Sequence, residues 1–266
     1  MKILTNLYPE GKIGAITMSY DDGNIADKRL VEIFNKYGFK GTFHLNGGRL
    51  VTETVVAHEE YASLYKGHEV SCHMYTHPFP KNCPDTVLVN EIMEDRKTLE
   101  KACGYTVRGM SYPFGEFSDH SIEILKSCGM KYARTTLATN NFGLPEDFMK
   151  WHPTTHHKGD LKKLFDAFIA ANSRYKRLNC LYIWGHSYEF DRENNWNIIE
   201  EFCEHASGRD DIWYATNIEI YDYVTACRNL EVSVDGTMIY NPSNISVWVS
   251  ADDKPVEIKP GENKLV

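Results

Sequence analysis

The chain alternates short apolar runs with longer segments in which apolar residues recur every three or four positions. The short runs have the length and composition of buried strands, and the longer segments are typical of amphipathic helices. Helices are predicted, for example, over Ala26 to Tyr37, Thr86 to Cys103 and Asn195 to His205. Seven strands are predicted, at Ile13 to Ser19, Gly41 to Leu45, His68 to Cys72, Gly109 to Tyr112, Lys131 to Thr135, Cys180 to Trp184 and Trp213 to Thr216.

Strands that alternate with helices are the pattern of repeated βα units around a parallel sheet, so an α/β fold is expected. Seven units suggest a barrel one strand short of the usual eight, with an open doubly wound sheet as the alternative. In either architecture, functional side chains collect where the strands end.

After Cys227 the pattern changes to a period of two residues, with Leu230, Val232 and Val234 alternating with polar positions. Asp235-Gly236 is a hairpin turn signal, and further alternating apolar residues follow it. The sequence therefore predicts a barrel domain over residues 1–228 and a small β-rich appendage over residues 229–266. We expect the appendage to have a structural role.

Composition narrows the classes of partner. The chain has 29 basic and 37 acidic residues and a net charge of -8, without a dense block of Lys or Arg, which argues against nucleic acid. No run approaches eighteen apolar residues, so no membrane span is expected, and the start of the chain does not resemble a signal peptide. A cytoplasmic location is expected. The seven cysteines are scattered without a C-x-x-C pair, which indicates reduced thiols.

The segment Tyr20-Asp21-Asp22-Gly23 follows the first predicted strand and carries two adjacent carboxylates. Successive side chains of a strand point to opposite faces, so one carboxylate can bind a cation while the other accepts protons. An ordinary Asp-Gly turn is the alternative interpretation.

His73 and His77 are four residues apart, a spacing that can bring two imidazoles onto one side of a turn. His152 and His156 have the same spacing, but only the first pair directly follows a predicted strand. One carboxylate and two imidazoles give three protein ligands and an open position, as in catalytic zinc sites.

Two further segments follow predicted strands. Pro113-Phe114-Gly115 can form a sharp turn that presents a backbone N–H to a developing oxyanion, although it can equally be an ordinary loop. His186 can serve as a general acid, because the pKa of an unperturbed imidazole is close to neutral. A buried, hydrogen-bonded histidine is the alternative there.

Together these segments resemble the metal-dependent polysaccharide deacetylases, carbohydrate esterases that share the NodB-homology domain. Ser19 to Gly23 is similar to the T-F-D-D-G motif of that family, His73 and His77 to H-[ST]-x-x-H, and Pro113 to Gly115 to the end of R-x-P-[FY]-G. The resemblance covers roughly Ile13 to Tyr223 and implies an incomplete (β/α)7 barrel. It also implies that Asp21 is the catalytic base, that Phe114 N–H is an oxyanion donor and that His186 is the acid. Asp22, His73 and His77 would be the metal ligands.

The chain departs from the family pattern at several positions. Ser111 stands where the family has an arginine that pairs with the base, and Arg108 or Arg134 could substitute for it. Asp147 with Trp151 is a loose counterpart of the family's Asp-Trp signature. These departures suggest a divergent branch with a different substrate.

The resemblance implies hydrolysis of N-acetyl or O-acetyl groups on a carbohydrate by a metal-activated water. Zn²⁺ is the expected cofactor, with Co²⁺, Ni²⁺ or Mn²⁺ as alternatives. An acetylated sugar or oligosaccharide is the expected partner, and the oligomeric state is left open. Residues expected to contact the sugar are Pro113, Trp151, Trp184 and Tyr188, with Trp196 as a further aromatic candidate. Packing in the core is the alternative for the aromatic rings.

Three alternatives remain at this point. A related amidase could use the same residues on a non-sugar amide. A sugar-binding scaffold could have lost turnover. A serine hydrolase could use Ser187, because Gly185-His186-Ser187-Tyr188-Glu189 nearly matches the G-x-S-x-G nucleophile motif.

Overall fold

The computed structural model describes residues 2–174 and 176–265, so Met1 and Val266, the outer ends of the two predicted domains, lie outside the described residues. A parallel sheet surrounded by helices makes up most of the chain. The elements in chain order are β1 Ile3–Leu7, β2 Gly14–Asp21, α1 Asp27–Tyr37, β3 Gly41–Leu45, α2 Tyr61–Leu64, β4 Glu69–Cys72, α3 Asp85–Cys103, β5 Gly109–Ser111, α4 Asp119–Ser127, β6 Tyr132–Arg134, β7 Thr155–His156, α5 Leu161–Arg174, β8 Asn179–Gly185, α6 Tyr188–Glu193, α7 Asn197–Ala206, β9 Ile212–Tyr214, α8 Asn217–Arg228, β10 Glu231–Val232, β11 Met238–Asn241, β12 Val247–Ala251, β13 Lys254–Ile258 and β14 Gly261–Lys264.

The strands of the large sheet follow the order β6-β5-β4-β3-β2-β8-β7, and β9 pairs with the first half of β2. Neighbouring strands in this sheet are parallel. A parallel bridge from Arg134 to Trp151 brings the segment before β7 alongside β6, so the sheet curls toward closure. The expected incomplete (β/α)7 barrel is confirmed, and the open doubly wound sheet is not the architecture of this chain.

Strand β2 is an interior strand of the large sheet and is buried along its whole length. It pairs with β3 along one edge and with β8 along the other. Asp21 lies opposite His44 in the register with β3. Strands buried on both faces read as continuous apolar runs, which is why this strand was visible in the sequence.

The predicted helices are present with shifts of one or two residues at their ends. Helices α1 and α3 both stop at glycines in the left-handed conformation, Gly38 at φ 74° and Gly104 at φ 78°. Strands β1 and β7 were not predicted. Strand β7 has only two residues, and two residues show no periodicity.

The β-rich appendage after Cys227 forms two small antiparallel sheets, one of β10, β11 and β14 and one of β12 and β13 with β1. The N-terminal strand is therefore paired with the C-terminal hairpin. Tyr223 of α8 joins the appendage to the barrel, because its hydroxyl donates to Leu7 O at 2.8 Å and accepts from Trp248 N at 2.9 Å. Within residues 2–174 and 176–265, the helices are too short or too polar to cross a lipid bilayer.

Candidate metal centre

The side chains with candidate chemistry lie at the edge of the barrel where the parallel strands end. Asp21 is the last residue of β2, and His73 directly follows β4. Ser111 and Arg134 are the last residues of β5 and β6, and His186 follows β8. Parallel strands end at one edge of a sheet, so distant segments of the chain meet there.

Asp22, His73 and His77 face a common point. The Nε2 atoms of the two histidines are 3.1 Å apart, and Asp22 Oδ1 lies 3.8 Å from each of them. His73 Nδ1 is held by Ser111, 3.0 Å from its carbonyl and 2.7 Å from its hydroxyl, so Nε2 is the ring nitrogen that faces Asp22 and His77. Burial lowers the pKa of His73, although Asp21 and Asp22 oppose this, which favours the neutral imidazole that can bind a cation.

Two imidazole nitrogens and one carboxylate oxygen around a point are the donor set that Zn²⁺ prefers. The ligand atoms of the three residues all lie within 4.8 Å of one another. The fixed tautomer of His73 is the arrangement usually seen behind a metal-bound histidine. The residues present therefore fit a divalent cation.

The loop that carries both histidines is fixed by two carboxylates of α3. Asp95 accepts from the backbone N–H of His73 at 3.0 Å and of Gly47 at 2.6 Å. Glu91 accepts from Thr76 N at 2.7 Å and from its hydroxyl at 2.6 Å. These bonds hold the loop in a conformation that an isolated turn would not keep.

Asp21 is almost fully buried and forms an ion pair with Arg134 Nη2. The Ser111 hydroxyl donates to its other oxygen at 3.1 Å. Burial alone would raise the pKa of Asp21, but the Arg134 guanidinium and the nearby imidazoles hold it well below its usual range. Of the two arginines considered from the sequence, Arg108 pairs instead with Asp222 at 2.6 Å.

Glu189 lies among basic groups beside His186, a cluster that was not predicted from the sequence. Its Oε2 lies 3.3 Å from His186 Nδ1 and 3.0 Å from His156 Nε2, and Lys158 Nζ lies 3.0 Å from its Oε1. Burial lowers the pKa of His186, but the hydrogen bond to Glu189 and the charges of Asp21 and Asp22 outweigh it, so the net shift is upward. The contact with Glu189 therefore favours the protonated form of His186 over the neutral one more than in a free imidazole.

His156, His186 and Glu189 also have ligand atoms within 4.8 Å of one another. The carboxylate of Glu189 is, however, already neutralised by Lys158 and by Arg192, whose Nη2 lies 3.1 Å from Oε1. Two cationic groups on the same carboxylate oppose a bound divalent ion. We therefore interpret this cluster as a support for His186.

Phe114 lies against the candidate ligand His77, in a backbone conformation that non-glycine residues seldom adopt, with φ at 59°. Its ring is 4.6 Å from the ring of His77 and is half exposed. Gly115 follows with φ at 72°, where a Cβ would lie 2.0 Å from the Thr136 hydroxyl oxygen. Buried Pro113 precedes them, so a strained, tightly packed turn borders the centre.

Trp151 requires a correction among the proposed sugar-contacting residues. It is buried in the core, where its ring contacts Tyr132, Phe148 and Tyr182, so it cannot offer a face to a sugar. Trp196 is buried as well, under the guanidinium of Arg29.

Trp184 and Tyr188 remain near His186. The ring of Trp184 is nearly buried and lies beneath the Arg134 guanidinium, 4.3 Å from its central carbon. The ring of Tyr188 is 5.1 Å from that of His186 and is partly exposed. Ser187 is fully buried, so it is not positioned as a nucleophile for an incoming substrate.

A cavity of about 340 Å³ opens beside the candidate ligands Asp22 and His77. Its lining residues are Asp22, Asn46, Gly48, Arg49, Tyr75, Thr76 and His77. Arg49 Nη1 donates to the Asp22 carbonyl at 2.9 Å and so contributes a positive group to the cavity wall.

Comparison with known proteins shows what the chain is similar to. A family model described as polysaccharide deacetylase matches residues 9–133. Chitin deacetylase 1 of Cryptococcus neoformans var. grubii is 26% identical over 114 residues, which are 42% of this chain and 24% of that protein. The chain thus matches about a quarter of the length of this curated relative.

Solved structures share the barrel. A putative polysaccharide deacetylase from Mycobacterium smegmatis aligns with a TM-score of 0.61 at 17% identity, over 85% of this chain and 96% of that one. A pseudoenzyme of the CE4 family from Bacillus anthracis aligns at 0.52 and 20% identity, over 80% of this chain and 66% of that one. An acetyl xylan esterase of family 4 from Clostridium thermocellum, in complex with a cobalt ion, aligns at 0.51 and 15% identity, over 78% and 90%.

At these identities the structural likeness establishes the fold, which serves both enzymes and a pseudoenzyme. The family model adds the sequence relationship across the barrel strands from β2 to β5 and into β6. The family model thus relates residues 9–133 to polysaccharide deacetylases, and the solved structures show that the chain shares their barrel fold.

Proposed function

We propose that this protein is a metal-dependent hydrolase that removes N-acetyl or O-acetyl groups from a carbohydrate. One observation carries the proposal: Asp22, His73 and His77 converge within 4.8 Å beside the buried Asp21–Arg134 pair. A cation site next to an ionised, unligated carboxylate is what water activation requires.

Asp22, His73 and His77 are the proposed ligands, with Zn²⁺ as the first candidate and Co²⁺, Ni²⁺ or Mn²⁺ as alternatives. When bound, the cation would act as a Lewis acid toward the acyl oxygen and would lower the pKa of a neighbouring water. Because the site has three protein ligands, a position is left for substrate and water.

Asp21 is the proposed general base. Its lowered pKa keeps it ionised at neutral pH, so it can accept a proton from the attacking water. Arg134 fixes the orientation of the carboxylate, and the Ser111 hydroxyl holds the second oxygen. Arg134 thus supplies the positive charge that Ser111 cannot.

Phe114 and His186 are proposed to complete the reaction. The backbone N–H of Phe114 would stabilise the oxyanion, and the unusual conformation at this residue supports a functional role. His186, whose protonated form Glu189 favours, would donate its proton to the leaving nitrogen or oxygen. Pro113, Trp184 and Tyr188 are proposed to border the substrate.

The test is acetate release from a panel of acetylated mono- and oligosaccharides. Purified protein is assayed as prepared, after removal of metal by a chelator, and after reconstitution with Zn²⁺ or Co²⁺. We expect release that disappears on stripping and returns on reconstitution. Release that survives stripping would contradict the mechanism, and release only from non-sugar amides would assign the amidase alternative. Binding of sugar without release from any compound would assign a non-catalytic scaffold.

A further inference from the structure

Two aromatic rings stack on each other at the border of the metal centre. The rings of Phe79 and Phe114 are 3.8 Å apart at an interplanar angle of 11°. Phe79 is 43% exposed and Phe114 is 51% exposed. The edge contact of Phe114 with His77, at 4.6 Å and 75°, joins this pair directly to a proposed metal ligand.

Neither ring belongs to the buried core clusters of the protein. Each ring leaves a large apolar surface in contact with water, at a position where a polar side chain would be solvated better. Adjacent exposed apolar rings are typical of binding sites. The backbone supports this interpretation, because Phe114 is held at positive φ with its ring at the surface.

Phe79 is held in place by its own turn. Its carbonyl accepts from Asn82 N at 3.0 Å and from Cys83 Sγ at 3.4 Å, and Pro80 restricts the backbone that follows. A ring on a fixed turn loses little conformational freedom when a ligand covers it, so its contact contributes more fully to affinity.

We propose that the Phe79–Phe114 pair, here called the phenylalanine platform, binds a second pyranose ring of an oligosaccharide substrate, next to the acetylated sugar hydrolysed at the metal centre. This inference rests on the proposed function. The C–H faces of a pyranose are apolar and match an exposed aromatic face, while the sugar hydroxyls remain in water. The platform adjoins His77, so a sugar chain lying on it leads directly into the centre.

The platform predicts a preference for chain length. An acetylated monosaccharide fills only the position at the metal centre, whereas an oligosaccharide also covers the exposed ring of Phe79. Phe79→Ala is expected to raise KM for an acetylated oligosaccharide by about tenfold, with a change below about twofold for the monosaccharide. Phe79→Tyr keeps an aromatic face and is expected to retain the wild-type KM, whereas Phe79→Leu keeps apolar bulk and is expected to behave like Phe79→Ala. Val232→Ala, an exposed change in the appendage, is the matched control.

Calorimetry with the deacetylated oligosaccharide measures the platform without any turnover. If wild-type protein releases no acetate, the proposed function fails, but weaker oligosaccharide binding by Phe79→Ala than by wild type would still support the platform. Equal binding by both would overturn it. Loss of zinc affinity in Phe79→Ala, or equal losses with both substrate lengths, would make Phe79 a support for His77 and overturn the inference. Sedimentation that turns a wild-type dimer into a monomer on this substitution would also overturn it, because the rings would then form an interface between copies.

Discussion

The proposed chemistry of the site depends on how neighbouring charges set the protonation of Asp21, the proposed base, and of His186, the proposed acid. Asp21 must be ionised to accept a proton, and its buried ion pair with Arg134 favours the ionised form. His186 must be protonated to donate one, and Glu189 favours that form. Two titratable groups whose surroundings move their pKa values in opposite directions are a common feature of acid and base pairs in enzymes.

Glu189→Gln tests whether Glu189 favours the protonated form of His186. Removing the carboxylate removes a cause that raises the pKa of His186, so the imidazole loses its proton at lower pH. We therefore expect the alkaline limb of the kcat/KM profile to move to lower pH. Activity on the acid side of the profile should be retained better than activity on the alkaline side.

Glu193→Gln is the control for that experiment, because Glu193 lies on the same helix and pairs with Lys158 and Arg192 without contacting His186. Its alkaline limb should stay in place. A Glu189→Gln profile that falls equally at every pH would mean that Glu189 only supports the fold.

The residues within motifs could be found from the sequence, and their supporting residues could not. Asp22, His73 and His77 were recognisable from their spacing and their positions after strands. Arg134 was one of two possible arginines, because the sequence does not say which strand end lies nearest Asp21. The burial of Trp151 is not visible in the sequence, because an aromatic residue beside a strand looks the same there whether its ring is buried or exposed.

At the scale of elements, the accuracy of the prediction depended on length. Strand β2 and helix α3 were long enough to show a period, and both were predicted close to their observed bounds. Strand β7 and helix α6 are short, so the sequence did not predict His156 and Glu189 near His186. Pairing of β1 with β12 was also missed, since it joins residues about 250 positions apart.

Ile258 tests whether the appendage is integral to the fold. It is fully buried on β13, in the cluster that also contains Tyr8 and Tyr223. Ile258→Ala is expected to lower the free energy of unfolding by about 2–4 kcal/mol, through lost burial and the cavity left behind. Denaturant unfolding followed by circular dichroism measures the change.

Val234→Ala is the control, because the Val234 side chain is fully exposed and its loss should change stability by less than about 0.5 kcal/mol. Both variants should unfold in a single transition if the appendage and the barrel are one cooperative unit. A separate early transition in Ile258→Ala would contradict that view.

In the whole molecule, the barrel brings distant segments of the chain together at one site. Its parallel strands all end at one edge, so residues between positions 21 and 189 meet there although they are far apart in sequence. The same barrel also occurs in a pseudoenzyme, so the fold alone does not decide activity. Catalytic activity depends instead on the few side chains at this edge of the barrel and on the cation that they are proposed to hold.

The most direct test measures bound zinc per chain and acetate release together, in the wild type, Asp22→Ala and Asp21→Asn. We expect the wild type to bind one zinc ion and to release acetate, and Asp22→Ala to lose both properties. Asp21→Asn should keep the zinc and lose about 10²–10⁴-fold in kcat, because it removes the base and leaves the ligands in place. Wild-type zinc content and full turnover in Asp22→Ala would contradict the account.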